Sequence, residues 1–524
     1  MNLSAKQNSY NKKNFDIYFV SLIIIVNAYI FFLLKLNLIK YFISLKDCDW
    51  KELNYIFEQI NLTKWSFYFN FHPRLIVYFF YPIYELIDRT GIYIFFLQVI
   101  ILSYTVLYYY KLSAILTKNK LISFLFSLIY LFLYILFEFQ IRDGYFDWYV
   151  LIIPILYYIE IKNYKLVFLL TAVFLLLRED CYFISLIAVF YLFGKKEYKR
   201  TIILLLFIFF LSFIIFFYIK NLFYIPGIKL EPDKEILIDQ YDYQFNQNFI
   251  ASIYGSIGAN TKEIIFNFLQ TPSKILTHIF SKPNFDLTYY YTGILLFIPL
   301  LNIRLFFIYF LIPFFYIYLS NNNSSLRTIS HEYTFLPGIY IVMLLTIVSI
   351  RKFCFKLSLK NKKITHLSDK IIIILLLIIL FQNIAKDYFL VKKLYHDKYK
   401  YSDRITLYNE IIKNKKSIKL LINDIIKNKP EKSCIIATER IQYVGNNYNY
   451  LYGFWLNYFI ITDDNIFFAF NKDRFPVYAF ILDYSFDYYR GDAKNLLKKI
   501  EEKVKNNIYY IKYNKYPIII YEKK

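Results

Sequence analysis

Residues 44–75 read SLKDCDWKELNYIFEQINLTKWSFYFNFHPRL, the first polar stretch after an apolar run at positions 17–43. Crossing a bilayer takes about 20 predominantly apolar residues, and that run is long enough. It is not followed by the small-residue cleavage site of a removed signal, so it reads as a retained first helix. Lys6, Lys12 and Lys13 precede it, and cationic flanks stay on the cytoplasmic side. Residues 44–75 are therefore expected outside. They carry two acids one residue apart, Asp47 and Asp49, and further along His72 and Arg74.

The rest of the chain is of one kind with that start. Its 524 residues are 58% hydrophobic, with a mean hydropathy of +0.38. Apolar runs recur through position 385, broken by short polar connectors, and they do not alternate with period two as barrel strands do. The expected fold is an all-α polytopic membrane protein of about 11 transmembrane helices. The 56 Tyr and 56 Phe, against 11 Gly and 2 Met, look like the drift of an AT-rich genome, not an aromatic array. A net charge of +23 would point to nucleic acid in a soluble chain. Here the excess sits in the connectors, as the positive-inside rule requires, so the expected partner is the lipid bilayer and no nucleic acid. Cys48, Cys181, Cys354 and Cys434 are far apart and form no C-x-x-C pair, so zinc and redox motifs are unsupported. A disulfide between two of them stays open.

Taken in order, 75–87 is too short to span and reads as an interfacial or re-entrant helix. Runs at 91–110, 121–139, 149–161, 166–177, 181–193 and 201–219 alternate in direction. A long outer segment, 220–288, contains amphipathic stretches near 264–269 and 275–280. Runs at 289–303, 305–319, 335–350 and 371–385 complete a transmembrane domain over 1–385. The connectors this places inside, 111–120, 162–165, 195–200, Arg304 and 351–370, are all basic. Parity then puts 44–74, 220–288 and the tail outside. The tail, 386–524, reads as a small extracytoplasmic α/β domain. Residues 407–426 form an amphipathic helix, SCIIATERIQYV, YAFILDY and YPIIIYEK are strands, and AKNLLKKIEEKVKNN is a helix between the last two.

This topology gathers polar residues from separate outer connectors at one face: Asp47, Asp49, His72, Arg74, Asp143, Asp147, Arg178, Glu179, Asp180, His331 and Glu332. Each has a plainer structural reading. The acids of 44–75 can be solvated loop acids, His72 before Pro73 an interfacial side chain, and Arg178-Glu179-Asp180 a helix-end charge cluster. That cluster, however, interrupts two apolar runs with almost no loop, and charges at a near-buried turn need partners. His331-Glu332 lacks a second His at helical spacing, so a protein zinc site is unsupported. Chemically, a carboxylate can act as general base on a sugar hydroxyl. Arg and His can hold a phosphate leaving group. A divalent cation can sit between two carboxylates and phosphate oxygens, and the sequence does not name a cofactor beyond that. These are the needs of glycosyl transfer from a lipid-phosphate donor.

At these residues the chain resembles the predicted membrane proteins of domain-of-unknown-function family 2079, grouped with the GT-C glycosyltransferase superfamily. The resemblance rests on the acidic first outer loop, Phe71-His72-Pro73, Pro82 with Tyr84, Gln98, the Arg178-Glu179-Asp180 turn, and the tail segments CIIATERIQYV, YAFILDY and YPIIIYEK. Where the family shows Asp-Phe-His before the fourth span, this chain has Phe146-Asp147-Trp148, without the histidine. The resemblance implies a GT-C-like fold in a bacterial plasma membrane, with a polyprenyl-phosphate sugar as donor. It implies Asp49 or Asp47 as the catalytic candidate. On the reading of the residues themselves, His72, Arg74 and Arg178 would contact the donor phosphate, and Asp147, Glu179 and Asp180 would complete the phosphate site, the last two ordering it or holding a metal. Two rival readings stand beside it: a multi-pass transporter or flippase, against which no inverted repeat is found, and a non-catalytic envelope protein.

Overall fold

The computed structural model describes residues 16–43, 76–87, 92–132, 149–177, 181–215, 261–319, 331–358, 362–400, 406, 410, 413–428, 434–437, 451–453, 477–483, 498 and 500–523. Contacts divide the chain into two compact units, Met1–Asn37 with Gln59–Lys392, and Leu38–Glu58 with Lys393–Lys524.

The first unit is helical. Helix α1 (Ile17–Ile43) is followed by α2 (Ile76–Ile87), α3 (Ile92–Thr117), α4 (Lys120–Leu131), a single 3-10 turn (Tyr149–Leu151), α5 (Ile152–Glu160), α6 (Tyr164–Leu175), α7 (Cys181–Gly194) and α8 (Tyr198–Phe213). Next come α9 (Thr261–Gln270), α10 (Pro272–Ile279), α11 (Lys282–Gly293), α12 (Ile303–Phe306), α13 (Phe315–Tyr318), α14 (His331–Ser358) and α15 (Lys362–Lys400). In α1 the buried positions Leu22, Val26, Tyr29, Leu33 and Leu36 recur at helical spacing, while Ile24 and Phe31 on the opposite side are 65% and 74% exposed. A helix apolar on its uncovered side is built for lipid, not water.

Among the described residues, three helices are long and apolar enough to cross a membrane: Ile17–Leu36, Phe96–Thr117 and Leu367–Lys393. Shorter apolar helices cover Lys120–Leu131, Tyr149–Glu160, Tyr164–Leu175, Cys181–Gly194 and Ile298–Leu311. At 1.5 Å per residue, a 12-residue helix reaches about 18 Å, and the described residues do not confirm a count of about 11 crossings. The expected inward run at 289–303 is broken. Helix α11 ends at Gly293, Leu296 and Phe297 take left-handed conformations (φ 50° and 58°), and a 3-10 segment at Ile298–Asn302 follows. The next run passes through a π turn at Phe307–Leu311 before α13. Against that irregular stretch α14 lies close, with Gly338 facing Phe314 and Phe310.

Three consecutive hairpins, α3–α4, α5–α6 and α7–α8, form the middle of the unit. Each turns on a lysine in the left-handed region, Lys118, Lys162 and Lys196, with φ of 55°, 59° and 62°. After α5, the Asn163 amide donates to Tyr158 O and the Lys162 amide to Ile159 O, the bond pair of a Schellman C-cap. Asn119 and Asn163 then cap α4 and α6, accepting from the Ile122 and Leu166 amides at 3.1 and 3.4 Å. Glycine fits a left-handed cap best, and a side chain there costs about 1 kcal/mol. Lys162→Gly is therefore expected to raise stability by about 1 kcal/mol, read as a higher thermal midpoint. A lower midpoint would show that the lysine itself holds the turn.

The three turns share one end of the unit. Glu160, closing α5, pairs with Lys195 beyond α7 at 2.6 Å and accepts from Tyr191. The hydroxyls of Tyr108 in α3 and Tyr158 in α5 are 3.3 Å apart. The Lys111 ammonium lies over the rings of Phe19, Tyr108 and Tyr157 at 5.2, 5.7 and 5.9 Å. Two further links reach the same end. Asp16, ahead of α1, pairs with Lys120 at 3.1 Å. Asp369 in α15 takes a two-pronged bond from Arg351 at 2.7 and 2.9 Å and one from Asn119 at 3.3 Å. Burial pushes the Asp16 carboxyl up, but hydrogen bonds from Lys120, Tyr110 and the Phe19 amide outweigh it and hold it below the usual carboxylate range.

The second unit holds a five-stranded sheet of β1 (Cys434–Ala437), β2 (Leu451–Gly453), β3 (Val477–Asp483), β4 (Tyr509–Lys515) and β5 (Ile518–Lys523), in the order β2-β1-β3-β5-β4. Strands β2, β1 and β3 run parallel, and β5 and β4 add antiparallel at one edge. Helix α16 (Lys415–Asn428) lays Ile418, Ile422 and Ile425 on Ala479, Ile481, Ile518 and Ile520. These spacings, three to four residues on the helix and two on the strands, are those of one helix face meeting one sheet face.

Candidate functional site

Every residue the sequence proposes for chemistry, Asp47, Asp49, His72, Arg74, Asp147, Arg178, Glu179 and Asp180, lies outside the described residues. So does Asp143. His331 and Glu332 open α14. What the structure does give is the frame to which these segments attach.

That frame is at the end opposite the lysine turns. Helix α6 starts at the basic end, next to the Lys162 turn, and finishes at Leu175 with Leu176 as its cap. There the amide of Ile76, opening α2, donates to the carbonyl of Leu176 at 3.0 Å. Ile76 stands two positions after Arg74, and Leu176 two positions before Arg178. The 3-10 turn Tyr149–Leu151, two positions after Asp147, rests against α6, α3 and α14, with Tyr149 and Val150 buried. Cys181, which opens α7 just after Asp180, is fully buried. The described flanks of three candidate segments are thus anchored around the far end of α6.

The structure adds two polar residues that sequence reading missed. Along α15 the buried positions are Ile372, Leu376, Ile379, Leu380, Asn383 and Asp387, a single helical stripe. Asn383 is fully buried and spends its amide N–H on Ile379 O at 2.8 Å, leaving Oδ1 unbonded. Asp387 is 7% exposed, and neither carboxylate oxygen has a hydrogen-bond partner. Its signal in the sequence was the four-residue step from Asn383, in register with the apolar stripe. A run ended at position 385 hides it. Helix α15 in fact continues unbroken through that position to Lys400.

Among the described residues, no group of three or more His, Cys, Asp or Glu side chains is placed to hold a metal ion. Of the four cysteines, Cys181 is buried at the start of α7, Cys354 is half-buried in α14 and Cys434 opens β1.

The chain matches the family model described as "Predicted membrane protein (DUF2079)" over residues 60–452. No curated protein matches it. Among solved structures, it is similar to the archaeal oligosaccharyltransferase AglB from Archaeoglobus fulgidus in complex with an inhibitory peptide and a dolichol-phosphate. The identity is 11% and the TM-score 0.46, over 90% of this chain and 70% of that one. It is also similar to the apo form of the Archaeoglobus fulgidus oligosaccharyltransferase, at 13% identity and a TM-score of 0.45, over 91% of this chain and 70% of that one. The matched segment of the family model takes in His72, Arg74, Asp147 and the Arg178–Asp180 turn, while Asp47 and Asp49 precede it. Spanning most of the sequence as it does, that match makes the chain a member of the DUF2079 family of predicted membrane proteins.

Proposed function

We propose that this membrane protein is a GT-C-like glycosyltransferase that takes a sugar from a polyprenyl-phosphate-linked donor at the extracytoplasmic face. Asp49, or Asp47 beside it, removes the proton of an acceptor hydroxyl. The acceptor oxygen bonds to the anomeric carbon as the bond from that carbon to the phosphate oxygen breaks. The phosphate leaves with the bonding pair, and Arg74, Arg178 and His72 hold its charge, the arginines by their forked donors. Asp147, Glu179 and Asp180 orient these groups or, with phosphate oxygens, hold a divalent cation, which would screen the departing phosphate.

The observation that carries the reading is the bond from Ile76 to Leu176. It joins Ile76 to Leu176, each two positions in sequence from a candidate arginine, Arg74 or Arg178, at the end away from the lysine turns, and so supports grouping the two candidate segments there. Basic connectors mark the cytoplasmic side, so this end faces outward in the proposal. The tail, taken as a domain over 386–524 whose first residues continue α15, then lies outside as well.

The test is a double substitution, Asp47→Asn with Asp49→Asn, in cells profiled for glycans and lipid-linked sugars. One glycan should disappear while its lipid-linked donor accumulates. An unchanged profile removes the base and the proposal with it. The unbonded Asp387 favours a second reading, a multi-pass transporter or flippase, because buried ionisable groups in membrane helices often serve ion-coupled carriers. Uptake by proteoliposomes without any acceptor glycosylation would select it.

A further inference from the structure

We infer that Asn383 and Asp387 form a buried binding site for one small monovalent inorganic cation on the covered face of α15. The argument starts from the helix itself. Its outward positions Ile371, Ile374, Ile378, Phe381, Ile384, Tyr388 and Phe389 are exposed and apolar, whereas its covered stripe ends in an amide and a carboxylate. Polar groups placed away from lipid, inside a bundle, are costly unless something satisfies them. Asn383 Oδ1 and both Asp387 oxygens lack a hydrogen-bond partner. Residues four apart share one helix face with their Cβ atoms about 6 Å apart, so these three oxygens crowd one turn.

Among the described residues the surroundings supply no counter-charge. The titratable groups that interact with Asp387 across the helices are the hydroxyls of Tyr29 in α1 and Tyr340 in α14, and the Tyr340 hydroxyl donates to Ile129 O at 3.2 Å. Among the described residues no Lys, Arg or His forms an ion pair with Asp387. The site therefore offers oxygen donors and a single negative charge. Hard cations take oxygen ligands, and one carboxylate neutralises one monovalent charge. A divalent ion would leave a net buried positive charge, and no cluster of ligating side chains stands nearby among the described residues to offset it. The site lies 18 residues along α15 from Asp369, about 27 Å from the basic end of the bundle. It depends on neither the glycosyl-transfer nor the transport reading.

The probe is sodium chloride, with lithium and potassium chloride, against N-methylglucamine chloride at equal ionic strength and fixed pH, on the detergent-purified full chain. Sodium should raise the thermal midpoint by several degrees over N-methylglucamine, and equilibrium dialysis with radiolabelled sodium should saturate at one ion per chain. Asp387→Asn should abolish both effects. Asn383→Ala, which keeps the charge and removes one ligand, should weaken sodium binding by about tenfold, and it carries the test where Asp387→Asn does not accumulate. Four results overturn the inference: no labelled sodium bound by the unaltered protein, sodium binding unchanged in both variants, a midpoint that follows pH alone (a proton-only site), and stabilisation by methylammonium without any by sodium (an amine site).

Discussion

Replacing Gly338 by Leu should prevent the helical unit from forming its native bundle. A Cβ at this position would come 3.0 Å from Cζ of Phe314 and 3.4 Å from Cδ2 of Phe310, and closer still to Cε2 of Phe314. Both rings are fully buried and pack against each other, tilted, with centroids 5.2 Å apart, so neither can swing clear. Overfilling a close-packed interior costs about 1–3 kcal/mol even for an added methylene or two, and here a whole side chain must be accommodated at a helix-to-helix approach that only glycine allows. Gly338→Ala should lower the thermal midpoint clearly, by about 3 kcal/mol in stability, and Gly338→Leu should remove the monodisperse peak in detergent. Normal accumulation of the Leu variant would mean that α14 does not approach the segment around Phe314 as closely as described.

The second large effect is expected at the far edge of the C-terminal sheet. Glu522, 3% exposed on β5, receives the hydroxyls of Tyr478 and Tyr510 and the ammonium of Lys512 at 3.1 Å. Lys512 also reaches Asp424 on α16 at 3.0 Å, so one carboxylate ties β3, β4 and β5 to the helix that covers them. Burial pushes Glu522 up, but its three donors win and hold it below its ordinary 4.5. Burial also pushes the Tyr478 phenol up, to about 12, with Glu522 adding to the shift. A carboxylate depressed in the folded state stabilises fully above its ordinary value, and the contribution is lost as pH falls through the folded value. Glu522→Leu removes one of the two carboxylates paired with the Lys512 ammonium and leaves the Tyr478 and Tyr510 hydroxyls without their acceptor, at a cost of about 3 kcal/mol. Hydrogen exchange of the 509–523 peptides in the full chain should then accelerate about 100-fold. Glu522→Gln should lose part of this and, above all, its dependence on acid. Unchanged exchange in both variants would show that the sheet edge is held by its backbone ladder alone.

Much of this frame was legible in the sequence because its cause is local. Apolar runs of helical period and lysines at their ends sufficed to mark the hairpins, and the amphipathic stretches expected near 264–269 and 275–280 are α9 and α10. The breaks between α11 and α13 were not legible. They depend on Leu296 and Phe297 taking left-handed backbone, which no residue type announces there, since glycine is the usual signal. Strand β4 was missed because YYIKYNK, with lysines at Lys512 and Lys515, is a largely exposed edge strand without the apolar run that marked the other strands, and only its pairing with β5 defines it. Asp387 was passed over because the count of apolar residues stopped two positions short of it, although its helix does not. As for the candidate site, the sequence named residues and the structure anchors their flanks. The acids themselves sit in long polar connectors, where neither periodicity nor packing partners fix a geometry in advance.

The three hairpins closed by Lys118, Lys162 and Lys196 bear on how the protein is made. In each, the two helices that cover one another are neighbours in the chain and are joined by a turn of a few residues, so little loop-closure entropy stands between emergence and pairing. A ribosome feeding such a chain into a bilayer would deliver finished pairs one after another. The long-range fastening, Asp369 to Arg351 and Asn119, can form only when α15 arrives, so the bundle is locked by one of its last helices.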